Sequence, residues 1–452
     1  MKHSLSAGRA ALRVTPAKFG RAVGAVAFVL ACMACKKSEP TAEPAAASAG
    51  GAGAVAPAES ENKPFLIGIT SDSSGQYANS GAEDRRGMLM AVEEFNARGG
   101  VLGRKIETVH LDTETTPATG SRVAERLITR DKVAVLVGAV SSGVANAISQ
   151  VAQKYGVIYL NTNSSAPTEA GQDCHRVKFV WDGNGNNFAQ ASVKGAIEKF
   201  GKRWLLITND YVWGHTTSAA TRKLAEAGGA TIVDEIMVPQ GTRDFSAVLI
   251  KAQQKKPQVI AAAVGGDDLK AMRAQVTQMK LGEKYAWINN QQDWPDVYGL
   301  PRTDLFGVFG TTWYQELDLP GVTEFVASYK KAYPDANIKT PGNVYFNGYW
   351  AVRALLEAVE RTKSTNNHVL IQELEKLKIP AATRMQQHDA YMNPNTHQLQ
   401  QTIYLATANL ESTDPDKLFK ILSSAPPDQV IDSDADAKCK LEPLDKTPVY
   451  EP

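Results

Sequence analysis

Residues 65–111 read FLIGITSDSSGQYANSGAEDRRGMLMAVEEFNARGGVLGRKIETVHL, and this stretch decides the fold class. It opens with the apolar run Phe65–Thr70, which is typical of a strand, and continues into a loop rich in Ser and Gly. A helix is indicated next by apolar residues at helical spacing, namely Met88, Leu89, Val92 and Phe95. After the helix stop Gly99-Gly100, the run Ile106–Leu111 predicts a second strand. The stretch is therefore one strand–helix–strand unit of a parallel sheet.

The same alternation of strand and helix continues along the chain. Further predicted strands in the first half are Val133–Val137 and Val157–Asn161. The pattern restarts after residue 203, with predicted strands Trp204–Thr208, Thr231–Val238, Val259–Val264, Tyr285–Asn289, Gly307–Thr312 and finally Gln400–Ala406. Two successive units of this kind predict an α/β fold with two doubly wound lobes. Predicted helices Val322–Ala332 and Asn343–Thr362 must then pack on one lobe or the other.

The N-terminus has the composition of an export signal. Five basic residues precede the apolar run Ala22–Ala34, which is shorter than the roughly 20 residues that span a bilayer. Cys32 and Cys35 have the spacing of a redox pair or half a metal site, but they lie where a signal ends, and the stretch resembles a bacterial lipobox. We therefore predict a signal peptide over 1–34, cleaved before a lipidated Cys32 or Cys35. Residues 35–63, rich in Ala, Gly, Ser, Pro and Glu, are a predicted disordered linker.

The overall composition narrows the class of protein. The chain has 452 residues, of which 43% are hydrophobic and 21% charged, as in ordinary globular proteins. Its formal net charge is +1, and removal of the five positive charges in residues 1–31 changes it to −4. A mildly acidic body lacks the basic footprint that nucleic-acid binding needs, so no nucleic-acid partner is expected.

Motifs of catalysis and cofactor binding are weak. The sequence contains no G-x-S-x-G, no phosphate-binding G-x-x-x-x-G-K-[ST] and no H-E-x-x-H, and its seven His residues are scattered. Residues 183–188 begin like a dinucleotide-binding loop, but Phe188 stands where the third Gly is required. We predict no catalytic residue, no cofactor and no metal site.

Polar and aromatic residues are concentrated where the predicted strands end. Ligands of open α/β sheets bind in the crevice at the carboxyl ends of the strands. The loops at these ends are 73–77, 141–143, 163–165, 210–214, 265–268 and 289–292, and they are rich in hydroxyls, amides and aromatic rings. Ser141-Ser142-Gly143 precedes a helix, so its hydroxyls and backbone N–H groups suit an anion such as a carboxylate. Helix capping explains one such loop equally well, but six loops facing one crevice favour a ligand site.

Six blocks of the chain together resemble a known family. They are residues 67–107, 135–148, 155–167, 207–215, 239–268 and 343–361, which include ITNDYVWGH and NVYFNGYWAVRALLEAVER. In this order they are similar to the substrate-binding proteins of branched-chain amino-acid-type ABC importers, which have the type I periplasmic binding-protein fold. The resemblance runs from Phe65 to about Cys439. It implies two lobes, joined by three crossings of the chain, that close over a ligand.

The resemblance also implies boundaries and site residues. The first lobe is expected over 64–182 and 314–380, the second over 183–313 and 381–410, and a tail over 411–452. The ligand-binding residues implied by the family are Tyr77, Ser141, Ser142, Asn163, Ser164, Ser165, Tyr211, Asp267 and Gln291. The serine loops would hold a ligand carboxylate from the first lobe, and Tyr211 would cover it from the second.

The function that follows is a lipid-anchored periplasmic receptor, acting as a monomer, that captures a small ligand and delivers it to an ABC permease. A receptor of the same fold that signals to a membrane kinase or chemoreceptor remains an alternative. A hydrolase-like enzyme is a third hypothesis, for which His215 is the only candidate base beside the predicted loops.

Two finer expectations complete the sequence analysis. Cys174 and Cys439 are the only cysteines outside the signal region, and the resemblance places a cysteine at each position, so a disulfide is expected to pin the tail to the first lobe. Amides at 289–292 stand where amino-acid binders of the family have a carboxylate for the α-ammonium. The expected ligand is thus a carboxylic acid or amide without an α-ammonium, such as an aromatic acid, unless Asp267 or Asp293 reaches the site.

Overall fold

The computed structural model describes residues 63–431 and 437–452. The predicted signal peptide, Cys32, Cys35 and the predicted linker up to residue 62 lie outside the described residues. No helix in the described part is long and apolar enough to cross a membrane.

The first lobe is built on a parallel sheet of five strands in the order β2-β1-β3-β4-β5. The strands are β1 (Phe65–Ile69), β2 (Ile106–His110), β3 (Val135–Gly138), β4 (Ile158–Asn161) and β5 (Lys178–Val180), and the helices between them are α1 (Ala78–Asn96), α2 (Pro117–Thr129) and α3 (Ser142–Tyr155). Each strand runs in the same direction as its neighbours because a helix returns the chain between them.

The second lobe repeats this plan with a sheet in the order β15-β14-β10-β9-β8-β6-β7. Its parallel strands are β6 (Arg203–Asn209), β7 (Thr231–Val238), β8 (Val259–Ala263), β9 (Ala286–Asn289) and β10 (Val308–Thr311); its helices are α4 (Gly185–Phe200), α5 (Val212–Ala227), α6 (Ser246–Gln254), α7 (Gly266–Gln278), α8 (Leu281–Lys284) and α9 (Trp294–Val297). Alternate residues of β6 enter two different cores: Leu205 and Ile207 pack in one, Trp204 and Leu206 in the other. A strand covered on both faces needs a continuous apolar run, which is why β6 was recognisable in the sequence.

The remaining elements are shared between the lobes. They are α10 (Val322–Ala332), α11 (Asn343–Thr362), α12 (Asn367–Leu374), β11 (Lys378–Ile379), α13 (Ala381–Arg384), β12 (Ala390–Met392), β13 (Leu399–Gln400), β14 (Ile403–Ala408), β15 (Phe419–Ala425) and α14 (Pro427–Val430), with short 3-10 turns at Pro167–Ala170, Arg302–Asp304 and Leu444–Lys446. Helix α11 crosses α1 in the first lobe so closely that a Cβ on Gly87 would lie 2.0 Å from Tyr345 O. Only glycine permits this approach.

The fold class is the predicted one, but two predicted boundaries within it are wrong. Residues 381–399 were expected in the second lobe. Instead, β12 and β13 pair with β11, and Met385, Ala390 and Leu399 pack in the first-lobe core. The predicted tail also contains β15, which pairs antiparallel with β14 at the edge of the second sheet. The chain therefore makes its third crossing at Gln401-Thr402, in the middle of the predicted strand Gln400–Ala406.

The C-terminal segment is fastened to the first lobe. Cys174 and Cys439 form the predicted disulfide, with their Cα atoms 5.7 Å apart. Next to it, Glu442 accepts a hydrogen bond from the backbone N–H of Arg176 at 2.8 Å and lies 2.7 Å from His175 Nδ1. Near the end of the chain, the Tyr450 hydroxyl donates to Val133 O at 2.7 Å. These contacts hold residues 437–452 against the first lobe.

Disulfide mapping tests this arrangement. Tryptic digestion without reduction is expected to yield peptide 155–176 joined to dipeptide 439–440. Reduction, or the substitution Cys439→Ser, should lower the free energy of unfolding by at most about 5 kcal/mol, because the bond closes a loop of 265 residues in the unfolded chain. Equal stability of the oxidised and reduced protein in urea titrations would show that the bond does not hold the tail.

Candidate functional site

The carboxyl ends of the parallel strands of both lobes face a common cleft. The cavity in this cleft is lined by Tyr77, Val140, Asn163, Ser165, Tyr211, Trp213, Gly265, Gln291, Asp293 and Asp296. Ser165 of the first lobe and Gln291 of the second are in direct contact, since Ser165 Oγ donates to Gln291 Oε1 at 2.5 Å. The lobes are therefore closed in this structure.

Five of the nine predicted site residues line the cavity: Tyr77, Asn163, Ser165, Tyr211 and Gln291. The tyrosines meet across the cleft with their hydroxyl oxygens 2.6 Å apart. Burial raises the pKa of both hydroxyls, so both remain neutral donors and acceptors. The ring of Tyr211 also lies 6.0 Å from that of Trp213, which packs against Ala166 of the first lobe.

Ser142 and Ser164 do not face the cavity, contrary to the sequence expectation. Their hydroxyl oxygens lie 2.9 Å apart, and Ser164 Oγ donates to Glu169 Oε1 at 2.8 Å. Glu169 forms a fully buried ion pair with Lys178 at 2.8 Å. A buried charge pair needs additional hydrogen bonds, and Ser164 supplies one to Glu169, while Ser142 Oγ accepts from the backbone N–H of Ala166 at 3.3 Å. They position the loop that carries Ser165 toward the cleft.

Ser141 lies at the N-cap of α3, next to the cavity-lining Val140, and its side chain is buried. The first turn of α3 has backbone N–H groups with no partner inside the helix, which is a favourable environment for an anion or a carbonyl oxygen. Ser141 is therefore adjacent to the cavity but is not among the residues that line it.

Asp267 lies outside the cavity, contrary to the placement that the sequence predicts. Its carboxylate is 3.4 Å from Arg243 Nη2 and 3.5 Å from Lys270 Nζ on the outer side of α7. The loop instead presents the backbone of Gly265 to the cleft. The start of α7 at Gly266 rotates the next side chain away from the cleft.

Two cavity residues, Asp293 and Asp296, were not predicted as site residues. Asp293 Oδ1 accepts hydrogen bonds from Gln291 Nε2 at 3.0 Å and from Asn343 Nδ2 at 2.7 Å. Asp296 Oδ2 accepts from the backbone N–H of Gly266 at 2.9 Å. Both carboxylates follow the amide loop after β9, so the strand-end rule that selected residues 289–292 would have found them if extended by four residues.

Burial and mutual repulsion perturb these acids. Burial, followed by the charge of Asp293, raises the pKa of Asp296 to about 7. Burial likewise raises the pKa of Asp293, and it raises that of the neighbouring Asp182 well above its ordinary value. The condition attached to the expected ligand class is therefore met, because Asp293 lies in the cavity beside the amides of 289–292.

His215, the one candidate base of the enzyme hypothesis, lies on the surface. Its Nε2 atom is 2.8 Å from Asp210 Oδ1, and about half of each side chain is exposed. Ser141 and Ser164 are buried in the first lobe, and Ser164 Oγ bonds Ser142 and the acid Glu169.

Comparison with known proteins agrees with this architecture. The sequence profile of the periplasmic binding protein family matches residues 64–414. Leu/Ile/Val-binding protein homolog 8 of Brucella abortus (strain 2308) is 27% identical over 327 residues, which are 68% of this chain and 79% of that protein. Leu/Ile/Val-binding protein BraC3 of Rhizobium johnstonii is 28% identical over 197 residues, or 43% of this chain, and the match spans about half (53%) of BraC3.

Solved structures have the same fold. A periplasmic binding protein of Burkholderia mallei superposes with a TM-score of 0.77 at 24% identity, covering 83% of this chain and 98% of the other. A solute-binding protein of an ABC transporter from Rhodopseudomonas palustris BisB5, in complex with 3,4-dihydroxybenzoic acid, has a TM-score of 0.72 at 21% identity, covering 81% and 98%.

The fold and the interlobe cavity define a binding protein with two closing lobes. The chain belongs to the periplasmic binding protein family, with the type I fold. Its membership of this family makes it a periplasmic protein that binds a small ligand.

The titration of Asp296 gives a testable pH dependence. Since the pKa of this carboxyl is about 7 in the folded protein and about 4 in an unfolded chain, the folded state retains a proton that the unfolded chain releases. Its contribution to stability is thus present below about pH 4 and is lost as pH rises to 7. Urea titrations at pH 4 to 7 measure this loss as a fall in the free energy of unfolding. In Asp296→Asn the fall between pH 4 and 7 should be smaller than in the wild type by about 1 kcal/mol or more. If the free energy of unfolding changed equally with pH in the two proteins, the raised pKa of Asp296 would be contradicted.

Proposed function

We propose that this chain captures a small solute with a carboxylate or amide at one end and an N–H or O–H donor at the other. One observation supports this proposal: the two lobes present different polar groups to the same cavity. The first lobe contributes Asn163, Ser165 and Val140, which lies two residues before α3, and the second contributes Asp293 and Asp296. Because a single chain builds the whole cavity, a monomer suffices, and the loaded form is delivered to an ABC permease.

The first-lobe wall suits an oxygen acceptor on the ligand. Ser165 Oγ is a hydroxyl donor whose partner in the closed structure is only Gln291, and a ligand oxygen can take that place. The backbone N–H groups at the start of the 14-residue helix α3 add partial positive charge. A carboxylate or an amide carbonyl satisfies both groups.

The second-lobe wall suits a donor. Asp293 and Asp296 are acceptors when ionised, and no side chain that lines the cavity is cationic. An ammonium, an amide N–H or a phenol would each offer them a hydrogen bond and offset their burial. An α-ammonium is therefore no longer excluded, whereas a ligand with a bare apolar end leaves the two carboxylates unmatched.

The middle of the cavity suits a flat or branched apolar group. Tyr77, Tyr211 and Trp213 contribute their rings there. Aromatic walls discriminate mainly by shape, so the two polar ends decide the class of ligand.

Matched pairs of compounds test the ligand class by calorimetry and thermal shift. We expect 4-hydroxybenzoate to bind more tightly than benzoate, or leucine more tightly than 4-methylpentanoate, because only the first member of each pair offers a donor. A ligand at 100 times its Kd adds about 2.7 kcal/mol of stability, which corresponds to a shift of roughly 5–10 °C.

Two variants provide the control for this experiment. Asp296→Asn should reduce the preference for the donor-bearing compound about tenfold, whereas Asp267→Asn, outside the cavity, should retain it. Equal binding of both members of a pair by the wild type, or tighter binding of the donor-free member, would overturn the proposed ligand class.

We further propose that a lipid at the N-terminus holds the receptor at the membrane. The support is the sequence Val29-Leu30-Ala31 before Cys32, together with the linker that follows. Metabolic labelling with an alkyne fatty acid should mark the wild type and the Cys35→Ser variant but not Cys32→Ser. Loss of label only in Cys35→Ser would move the anchor to Cys35, and unlabelled wild type would contradict anchoring altogether.

A further inference from the structure

We infer that Gln76, Tyr77, Tyr211 and the pair Gly265-Gly266 form a closure latch, a set of positioning residues that holds the two lobes together over the ligand. The inference rests on the proposed capture of a ligand by closing lobes. It assigns the stability of the closed state to contacts between protein groups, so the latch acts even before a ligand binds.

The latch consists of direct contacts between loops that are distant in sequence. Besides the Tyr77–Tyr211 hydroxyl contact at 2.6 Å, Gln76 Nε2 donates to Gly265 O at 3.0 Å. These residues lie in the loops after β1, β6 and β8, none of which is a crossing between the lobes. The contacts can therefore form only when the lobes are closed.

The glycine pair makes the close approach possible. A Cβ on Gly265 would lie 3.2 Å from Tyr77 Oη, and one on Gly266 would lie 2.9 Å from both Gln76 Cγ and Tyr77 Cε1. All the atoms that a Cβ on Gly266 would meet, and the nearest atom to a Cβ on Gly265, belong to the opposite lobe, whereas Trp213 of the same lobe lies 3.8 Å from a Cβ on Gly265. Gly265 has a φ of −131°, which any residue can adopt, so a side chain there is excluded by the neighbouring lobe and not by the backbone.

A third contact links the latch to the acidic wall of the cavity. Asp296 accepts the N–H of Gly266 at 2.9 Å and lies 3.5 Å from Ser80 Oγ of the first lobe. Gly266 has a φ of +60°, so its own substitution would add backbone strain and is not a clean test. Gly265 is the position at which steric closure alone can be tested.

Distances between the lobes, measured without ligand, test the latch. Spin labels placed by unnatural amino acids at the exposed Val369 of α12 and Ile250 of α6 report the interlobe distance by double electron–electron resonance in the full-length chain. We expect a closed population in the wild type, and a closed-to-open ratio about 2- to 10-fold lower in Tyr77→Phe and in Tyr211→Phe. The double variant should be no lower than either single one, because both changes remove the same contact.

A wedge variant tests the steric part. Gly265→Val should lower the closed-to-open ratio about 10-fold or more, and this effect should vanish in a Tyr77→Ala background because the opposing ring is gone. Gly195→Val, where a Cβ meets nothing within 4 Å, and Tyr155→Phe, whose hydroxyl bonds Glu125 within the first lobe, are the matched controls.

The outcomes separate the latch from the ligand proposal, because no ligand is used. Equal closed populations in the wild type and in the latch variants would overturn the inference. A wild type with no closed population would also overturn it. Failure to find a ligand in the calorimetric panel would leave this result unaffected.

Discussion

The rest of the structure depends on one buried carboxylate, that of Asp182, in the first crossing between the lobes. Asp182 Oδ1 accepts hydrogen bonds from the backbone N–H of Gly183 at 2.9 Å and from Asn347 Nδ2 at 3.0 Å. The hydroxyl of Thr312, in the second crossing, lies 3.3 Å from the same oxygen. A carboxylate removed from water must be surrounded by donors, and here the donors come from separate segments of the chain. The carboxylate thereby holds the crossings together.

The same carboxylate connects the hinge to the ligand cavity. Asp182 Oδ2 accepts from Gln291 Nε2 at 2.7 Å, and that amide group also donates to Asp293. Gln291 in turn contacts Ser165 across the cleft. Hinge and cavity therefore share one polar network, and the charge of Asp293 adds to burial in raising the pKa of Asp182. A ligand that donates a hydrogen bond to this network offsets the repulsion between the carboxylates of Asp182 and Asp293, close to the first crossing between the lobes.

Five of the six strand-end loops contribute residues to the cavity lining, but the strand-end rule did not select every side chain that faces the cleft. Ser165 lies in the cavity, while Ser164 beside it serves a buried ion pair; a strand-end loop turns at each residue, so neighbours point in different directions. Asp267 failed for the same reason, because α7 begins one residue earlier. Asp296 was missed because it lies four residues beyond the amide loop 289–292, in the short helix α9.

The sequence by itself determined the two α/β lobes, the family and the Cys174–Cys439 pairing. Apolar periodicity and the motifs of the family are local properties of the sequence, and the body contains only two cysteines. None of these three inferences therefore needs distances across the fold. The tertiary structure alone decided the third crossing at 401–402, the place of β15 in the second sheet, and the contact of Tyr77 with Tyr211. These features depend on which sheet each strand joins and which loops meet across the cleft, and no local pattern records that geometry.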